Sequence, residues 1–280
     1  MIEFLEVLKN QTFIQNAIIV GILASVACGV MGTYVVVKRI VFISGGISHT
    51  VLGGMGIAYY YGYNPLYGAV VFALASALVI GFVSLRYHQH EDTLIGALWA
   101  VGMAVGIIFI YKTPGYNVDL MSYLFGNILM VKKSSLFLVL CLDFLVIFFV
   151  IFLYKRFLAV CFDEQYAQLQ GIGVVNFYLL LLCLIALTVV MLIQVVGIIL
   201  VIALITLPAA TARYYAKNLY QMMLIAALLG AFFTTSGIII SFEKNLPSGA
   251  TIIIIAGLTY FLATVLKGVK LRLSSYLKNM

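Results

Sequence analysis

The chain has 280 residues, of which 65% are apolar and only 9% charged. Soluble domains are about half apolar and about a quarter charged, so a soluble reading needs a core larger than a chain of this length can enclose. Disorder fails for the same reason, and the 24 glycines follow no Gly-X-Y period, which excludes collagen. The chain belongs in lipid, where its 16 Lys and Arg against 9 Asp and Glu are read first as a topology signal rather than a nucleic-acid surface.

A helix crosses the bilayer core with about 20 apolar residues. Nine segments qualify: 14–37, 42–61, 66–85, 94–111, 134–154, 175–193, 196–212, 220–242 and 249–267. The first twelve residues carry Glu3 and Glu6 ahead of Lys9 and lack the basic start of a signal peptide, so they read as a short interfacial segment. The run 175–212 is too long for one helix, and Gln194 and Gly197 mark the turn that divides it. Eight spans is the alternative division. No polar linker separates two domains, so residues 1–280 read as one all-α, polytopic membrane domain.

Lys and Arg in the short loops set the orientation. One set of loops and the C-terminal tail hold Lys38, Arg39, Arg86, Lys155, Arg156, Arg213, Lys217, Lys267, Lys270, Arg272 and Lys278. The other holds only Lys9, Lys112, Lys132, Lys133 and Lys244. The richer side is expected in the cytoplasm, with the N-terminus outside and the C-terminus inside. The outer 112–133 segment contains Pro114, Gly115 and an amphipathic stretch, 120–130, which reads as a surface or re-entrant helix.

Ionisable groups inside a span are costly and mark functional candidates. His49 lies in the second span, within Ser44-Gly45-Gly46-Ile47-Ser48-His49-Thr50. On a helix Gly45, His49, Gly53 and Gly56 share one face. That face is either a close packing seam, with His49 hydrogen-bonded to a neighbouring helix, or the wall of a lumen into which one imidazole projects. A neutral imidazole is a common ligand for transition metals. One histidine cannot hold a metal selectively, but a two-fold dimer supplies two. In the loop before the fourth span, His88-Gln89-His90-Glu91-Asp92 resembles a ligand cluster, although polar residues belong in such a turn and Asp92 or Thr93 would cap the next helix. The fourth span carries Gly102 and Gly106 at close-packing spacing. Asp143 lies near the middle of the fifth span, with no cation one turn away to pair with it. In 155–173, Asp163 is a suitable N-cap, Glu164 suits a helix N-terminus and Gly171 a helix stop. A helix of about two turns follows, with Phe162, Tyr166 and Leu169 on one side needing a surface to cover them. Pro208, set among small residues, suits a kinked or moving helix. Cys28, Cys141, Cys161 and Cys183 show no CxxC pair and read as small buried hydrophobes.

There is no G-x-x-x-x-G-K-[ST], so the chain does not bind ATP through a P-loop. The G-x-S-x-G and HExxH motifs and paired intramembrane carboxylates are missing too, so the chain does not read as an enzyme.

Several short stretches, in order, resemble the membrane subunit of metal-uptake ABC transporters, the zinc/manganese/iron permease family. They are Ile47-Ser48-His49-Thr50; Glu91-Asp92-Thr93-Leu94-Ile95-Gly96; the 119–129 stretch Asp119-Leu120-Met121 through Leu129; Phe162-Asp163 through Gly171; Leu207-Pro208-Ala209-Ala210-Thr211-Ala212-Arg213; and Pro247-Ser248-Gly249-Ala250-Thr251. The resemblance implies an all-helical permease in the prokaryotic cell membrane that pairs into a two-fold homodimer. Each copy docks a cytoplasmic ATPase, and an extracytoplasmic metal-binding protein delivers the ion. The 163–170 helix is then the coupling helix, with Asp163, Glu164, Tyr166, Leu169 and Gly171 as its contacts and ends, and His49 lines the metal path. Gly45, Gly53 and Pro208 are expected to serve packing or gating, and Asp143 is a lesser candidate for the ion. The family usually has Asp four residues before this histidine, where this chain has Gly45. The expected function is import of a divalent metal (zinc, manganese or iron), with ATP hydrolysed on the partner and no cofactor bound by this chain. The alternative is an ion-coupled secondary transporter using Asp143 or His49 as a proton relay.

Overall fold

The computed structural model describes residues 11–86, 91–113, 126, 128–131 and 133–278. Among these residues the chain forms ten α-helices and no strand. They are α1 (Thr12–Lys38), α2 (Val41–Tyr60), α3 (Pro65–Arg86), α4 (Glu91–Lys112), α5 (Lys133–Phe162), α6 (Glu164–Leu169), α7 (Val174–Val196), α8 (Ile198–Ala212), α9 (Leu219–Lys244) and α10 (Ser248–Lys278). Eight of them, all but α6 and α8, are long and apolar enough to cross a bilayer.

Local chemistry sets the breaks. Arg39 turns left-handed at φ 62° and returns its N–H to Val35 and Val36, closing α1. The Asn218 side chain accepts from the Gln221 N–H at 2.8 Å and opens α9. The long apolar run divides at Gly197, whose φ of 83° suits a residue without a Cβ. On one side α7 is about 35 Å long at 1.5 Å per residue. On the other, α8 has 15 residues and reaches only about 22 Å, short of the ~30 Å hydrocarbon core. The nine segments are therefore eight full-length helices and one short one.

The short helix nevertheless returns to the side where α1 and α5 end. Arg39, Cys161, Arg213 and Lys217 line one cavity of about 340 Å³. Lys267 of α10 joins Arg39 and Arg213 in a neighbouring cavity of about 840 Å³. Four of the basic residues assigned to one side, Arg39, Arg213, Lys217 and Lys267, thus collect at one end of the bundle.

Lipid tails are as apolar as leucine, so close van der Waals contact holds such a bundle together. The hub is α1, which packs on α5, α8 and α9. A Cβ on Gly29 would lie 2.5 Å from the Ala227 nitrogen, and one on Gly32 would lie 2.0 Å from the Ile205 oxygen. Those crossings exist because the side chains are missing. The hydroxyls of Ser25, Thr33, Ser48, Thr188 and Thr211 each donate to the carbonyl four residues back, which satisfies them without a partner helix. Pro208 sits buried within α8, and the helix continues through it.

Cys28 and Cys161 are buried as expected, but Cys141 is exposed. The outward face of α5 is as apolar as its inward face, so an apolar run does not reveal which way a cysteine points. The 88–90 histidines, residues 1–10 and most of the 112–133 segment lie outside the described residues. From that segment Ile128–Met130 forms a 3-10 turn.

Candidate functional site

Unpaired polar atoms are expensive where no water can reach them. Among the described residues, the buried side-chain atoms without a hydrogen bond are Tyr34 Oη, His49 Nδ1 and both carboxylate oxygens of Asp143. Two of these three residues are the ionisable groups that the sequence singled out.

His49 sits on α2, which is clamped between α3 and α4. On one flank a Cβ at Gly54 would lie 2.1 Å from the Gly68 oxygen of α3. On the other, Cβ atoms at Gly53 and Gly56 would lie 2.8 Å and 2.5 Å from the Gly102 and Gly106 oxygens of α4. The Thr50 hydroxyl adds a hydrogen bond to the Leu98 carbonyl at 3.3 Å. The face shared by Gly45, His49, Gly53 and Gly56 is thus divided. Gly53 and Gly56 form a packing seam, whereas a Cβ at Gly45 would meet nothing within 4 Å. His49 lies at the boundary between the two.

Among the described residues the imidazole Nδ1 has no partner on a neighbouring helix, whereas a structural histidine would have one. It stacks on Trp99 of α4, with ring centroids 4.1 Å apart and planes inclined by 9°. The Trp99 Nε1–H donates to the Met103 sulfur at 3.1 Å. Sequence reasoning missed Trp99. The signal was present: it is the only tryptophan in the chain, and Trp99, Gly102 and Gly106 recur at helical offsets on the face that meets α2.

Among the described residues no three His, Cys, Asp or Glu side chains gather into a metal-holding group. Among the described residues this site offers a single imidazole, His49, with room beside it at Gly45. Asp143 belongs elsewhere: α5 packs chiefly on α1 and α7, α2 chiefly on α3 and α4, and α2 and α5 do not pack on one another. Asp143 is among the residues lining a groove of about 640 Å³, with Leu23, Val26, Leu140, Cys141, Phe144 and Ile147. The structure does not bring Asp143 and His49 together.

The basic end of the bundle carries the second candidate surface, α6. The Asp163 carboxylate accepts from the Tyr166 N–H at 2.9 Å, so the residue caps the helix. Ala167 is fully buried against the bundle, while Phe162, Tyr166 and Leu169 are 65%, 54% and 86% exposed. Gly171 ends the segment at φ 73°. The Lys38 ammonium at the end of α1 pairs with the Glu164 carboxylate and donates to the Val160 carbonyl at 3.1 Å. A small helix is thus tied to α1 on its inner side and bare on its outer side.

The sequence pattern of the ABC 3 transport family matches residues 10–267. An uncharacterized membrane protein of Synechocystis is 47% identical over 263 residues, covering 94% of each chain. The manganese transport system membrane protein MntC of Listeria monocytogenes is 36% identical over 260 residues, 93% of this chain and 92% of that protein. Among solved structures, PsaBC from Streptococcus pneumoniae in complex with Fab superposes with a TM-score of 0.85 at 31% identity, covering 94% of this chain and 95% of that one.

Proposed function

The chain belongs to the ABC 3 transport family, whose members are membrane transport proteins rather than enzymes, and from that premise we propose that it is the permease subunit of an ATP-driven importer of divalent metal. Manganese is the first choice of cargo, because relatives named for manganese transport align along almost the whole chain. Zinc and iron are the other candidates. That end-to-end likeness is the observation that carries the reading. The alternative, proton relay through Asp143 and His49, lacks support because the helices that carry them, α5 and α2, do not pack on one another.

In this reading ATP is hydrolysed on a separate cytoplasmic subunit that docks on Phe162, Tyr166 and Leu169. The basic end of the bundle and the C-terminus face the cytoplasm. Motion of α6 passes to α1 through the Lys38–Glu164 pair. Two copies around a two-fold axis bring two His49 imidazoles to the ion, delivered from outside by a metal-binding protein. A metal in transit needs a contact good enough to enter and weak enough to leave, and one imidazole per chain suits that. Pro208 leaves the Leu204 carbonyl without its helical donor, a weak point at which α8 can bend.

The test is copurification and uptake. The chain should copurify with its ATPase, and Glu164→Arg with Tyr166→Asp should abolish the complex. Membrane vesicles should accumulate Mn²⁺ only with ATP and that partner. Uptake driven by a pH gradient with no ATPase present would overturn the proposal.

A further inference from the structure

A histidine that holds a metal ordinarily ties its other ring nitrogen to a carboxylate, a carbonyl or water, which sets the ring plane and tautomer. His49 has no such tie. Its Nδ1 is buried without a hydrogen-bond partner. One turn earlier stands Gly45, with no side chain to reach it. Yet the ring plane is restrained, because the Trp99 indole lies parallel to it at 4.1 Å. The indole is held in turn. Its N–H donates to Met103, Phe42 leans on it at 6.2 Å, and the helix beneath it is pinned where a Gly102 Cβ would come within 2.7 Å of Thr50 Cα.

We propose that Trp99 is the positioning residue of the ion path: its flat face replaces the missing hydrogen bond and holds the His49 imidazole edge-on to the passing metal. This rests on the reading of His49 as an ion contact given above. The replacement has a chemical consequence. A hydrogen-bonded carboxylate makes a ligating imidazole more basic and fixes its tautomer, whereas a stacked ring orients it and does neither. The imidazole can then bind and release the ion without rearranging a hydrogen-bonded network. An aromatic face also tolerates the positive charge that the ring shares while the metal is bound.

Trp99 is the only tryptophan of the chain, so the emission of the purified full-length chain in detergent reports this site alone. We expect His49→Gln to change that emission. Mn²⁺ should change it saturably in the parent chain and not in His49→Gln. In the complex with its ATPase, Mn²⁺ uptake per assembled complex should fall about tenfold in His49→Gln and in Trp99→Leu, the loss usual for an orienting partner. Trp99→Phe, which keeps a flat ring, should restore most of it. Parent-level uptake in Trp99→Leu while His49→Gln is lost would overturn the role of Trp99 and leave His49 in the path. Parent-level uptake in His49→Gln would remove His49 from the path and this proposal with it. Identical emission in the parent chain and His49→Gln would show that the rings do not stack. A Trp99→Phe variant as poor as Trp99→Leu would refute positioning by a flat face.

Discussion

The seam between α2 and α4 offers a quantitative test of how tightly the histidine helix is held. A methyl at Gly106 would sit 2.5 Å from the Leu52 oxygen, 2.7 Å from the Leu52 carbonyl carbon and 3.0 Å from the Gly53 nitrogen. All three are α2 backbone, which cannot swing aside as a side chain can. A carbon needs about 3.3 Å from a carbonyl oxygen, so Gly106→Ala must part the two helices by about 0.8 Å. The His49–Trp99 stack bridges the same pair of helices and should open with them. Overpacking of this kind costs about 1–3 kcal/mol, and near 2–4 °C per kcal/mol the expected fall in Tm is on the order of 5 °C. Gly45→Ala is the control, because its methyl meets nothing within 4 Å. Alanine also exceeds glycine in helix propensity by up to about 1 kcal/mol, so Tm should hold or rise. Thermal unfolding in detergent, with Trp99 emission read alongside, decides the matter. A Gly106→Ala chain with the Tm and emission of the parent would refute the seam, as would a Gly45→Ala chain destabilised to the same degree.

Two further outcomes follow from the ion pair and the buried carboxyl. Lys38→Ala should leave the chain folded, since a part-buried pair at the edge of the bundle contributes only about 1 kcal/mol. It should, however, lower Mn²⁺ uptake per ATP hydrolysed, and the exchange Lys38→Glu with Glu164→Lys should recover part of the loss. Unchanged coupling in Lys38→Ala would show that α6 does not act through α1. Asp143→Leu removes two buried oxygens that have no partner, so it should raise thermal stability, by about 1–3 kcal/mol, and leave ATP-driven uptake intact. Abolished uptake in Asp143→Asn would return the carboxyl to the transport path.

Much of the architecture is a property of the linear chain. A helix in hydrocarbon must satisfy its own backbone, so hydropathy and length locate the spans without knowledge of their neighbours. Gly197 divides the long apolar run because its φ of 83° favours glycine. Asp163 caps α6 through atoms three residues apart. Ile198–Ala212 came out shorter than a full span, because an apolar run records where a helix can sit and not how much of the bilayer it crosses.

What the linear chain withheld is which face of each helix meets which neighbour. In a soluble helix the polar side points outward and the pattern reveals the core. Here most helices are apolar all round, so Cys141 and Cys28 look alike in sequence and end on opposite kinds of surface. His49, Gly53 and Gly45 share a helical face, yet one stacks, one packs and one stands beside open space. The stack on Trp99 joins residues fifty apart, and only the approach of α4 to α2 creates it. Composition and hydropathy made this a helical membrane protein, because they are sums over the chain. Helix partners belong to three dimensions, because in lipid they are chosen by the fit of small side chains and not by burial of an apolar stripe.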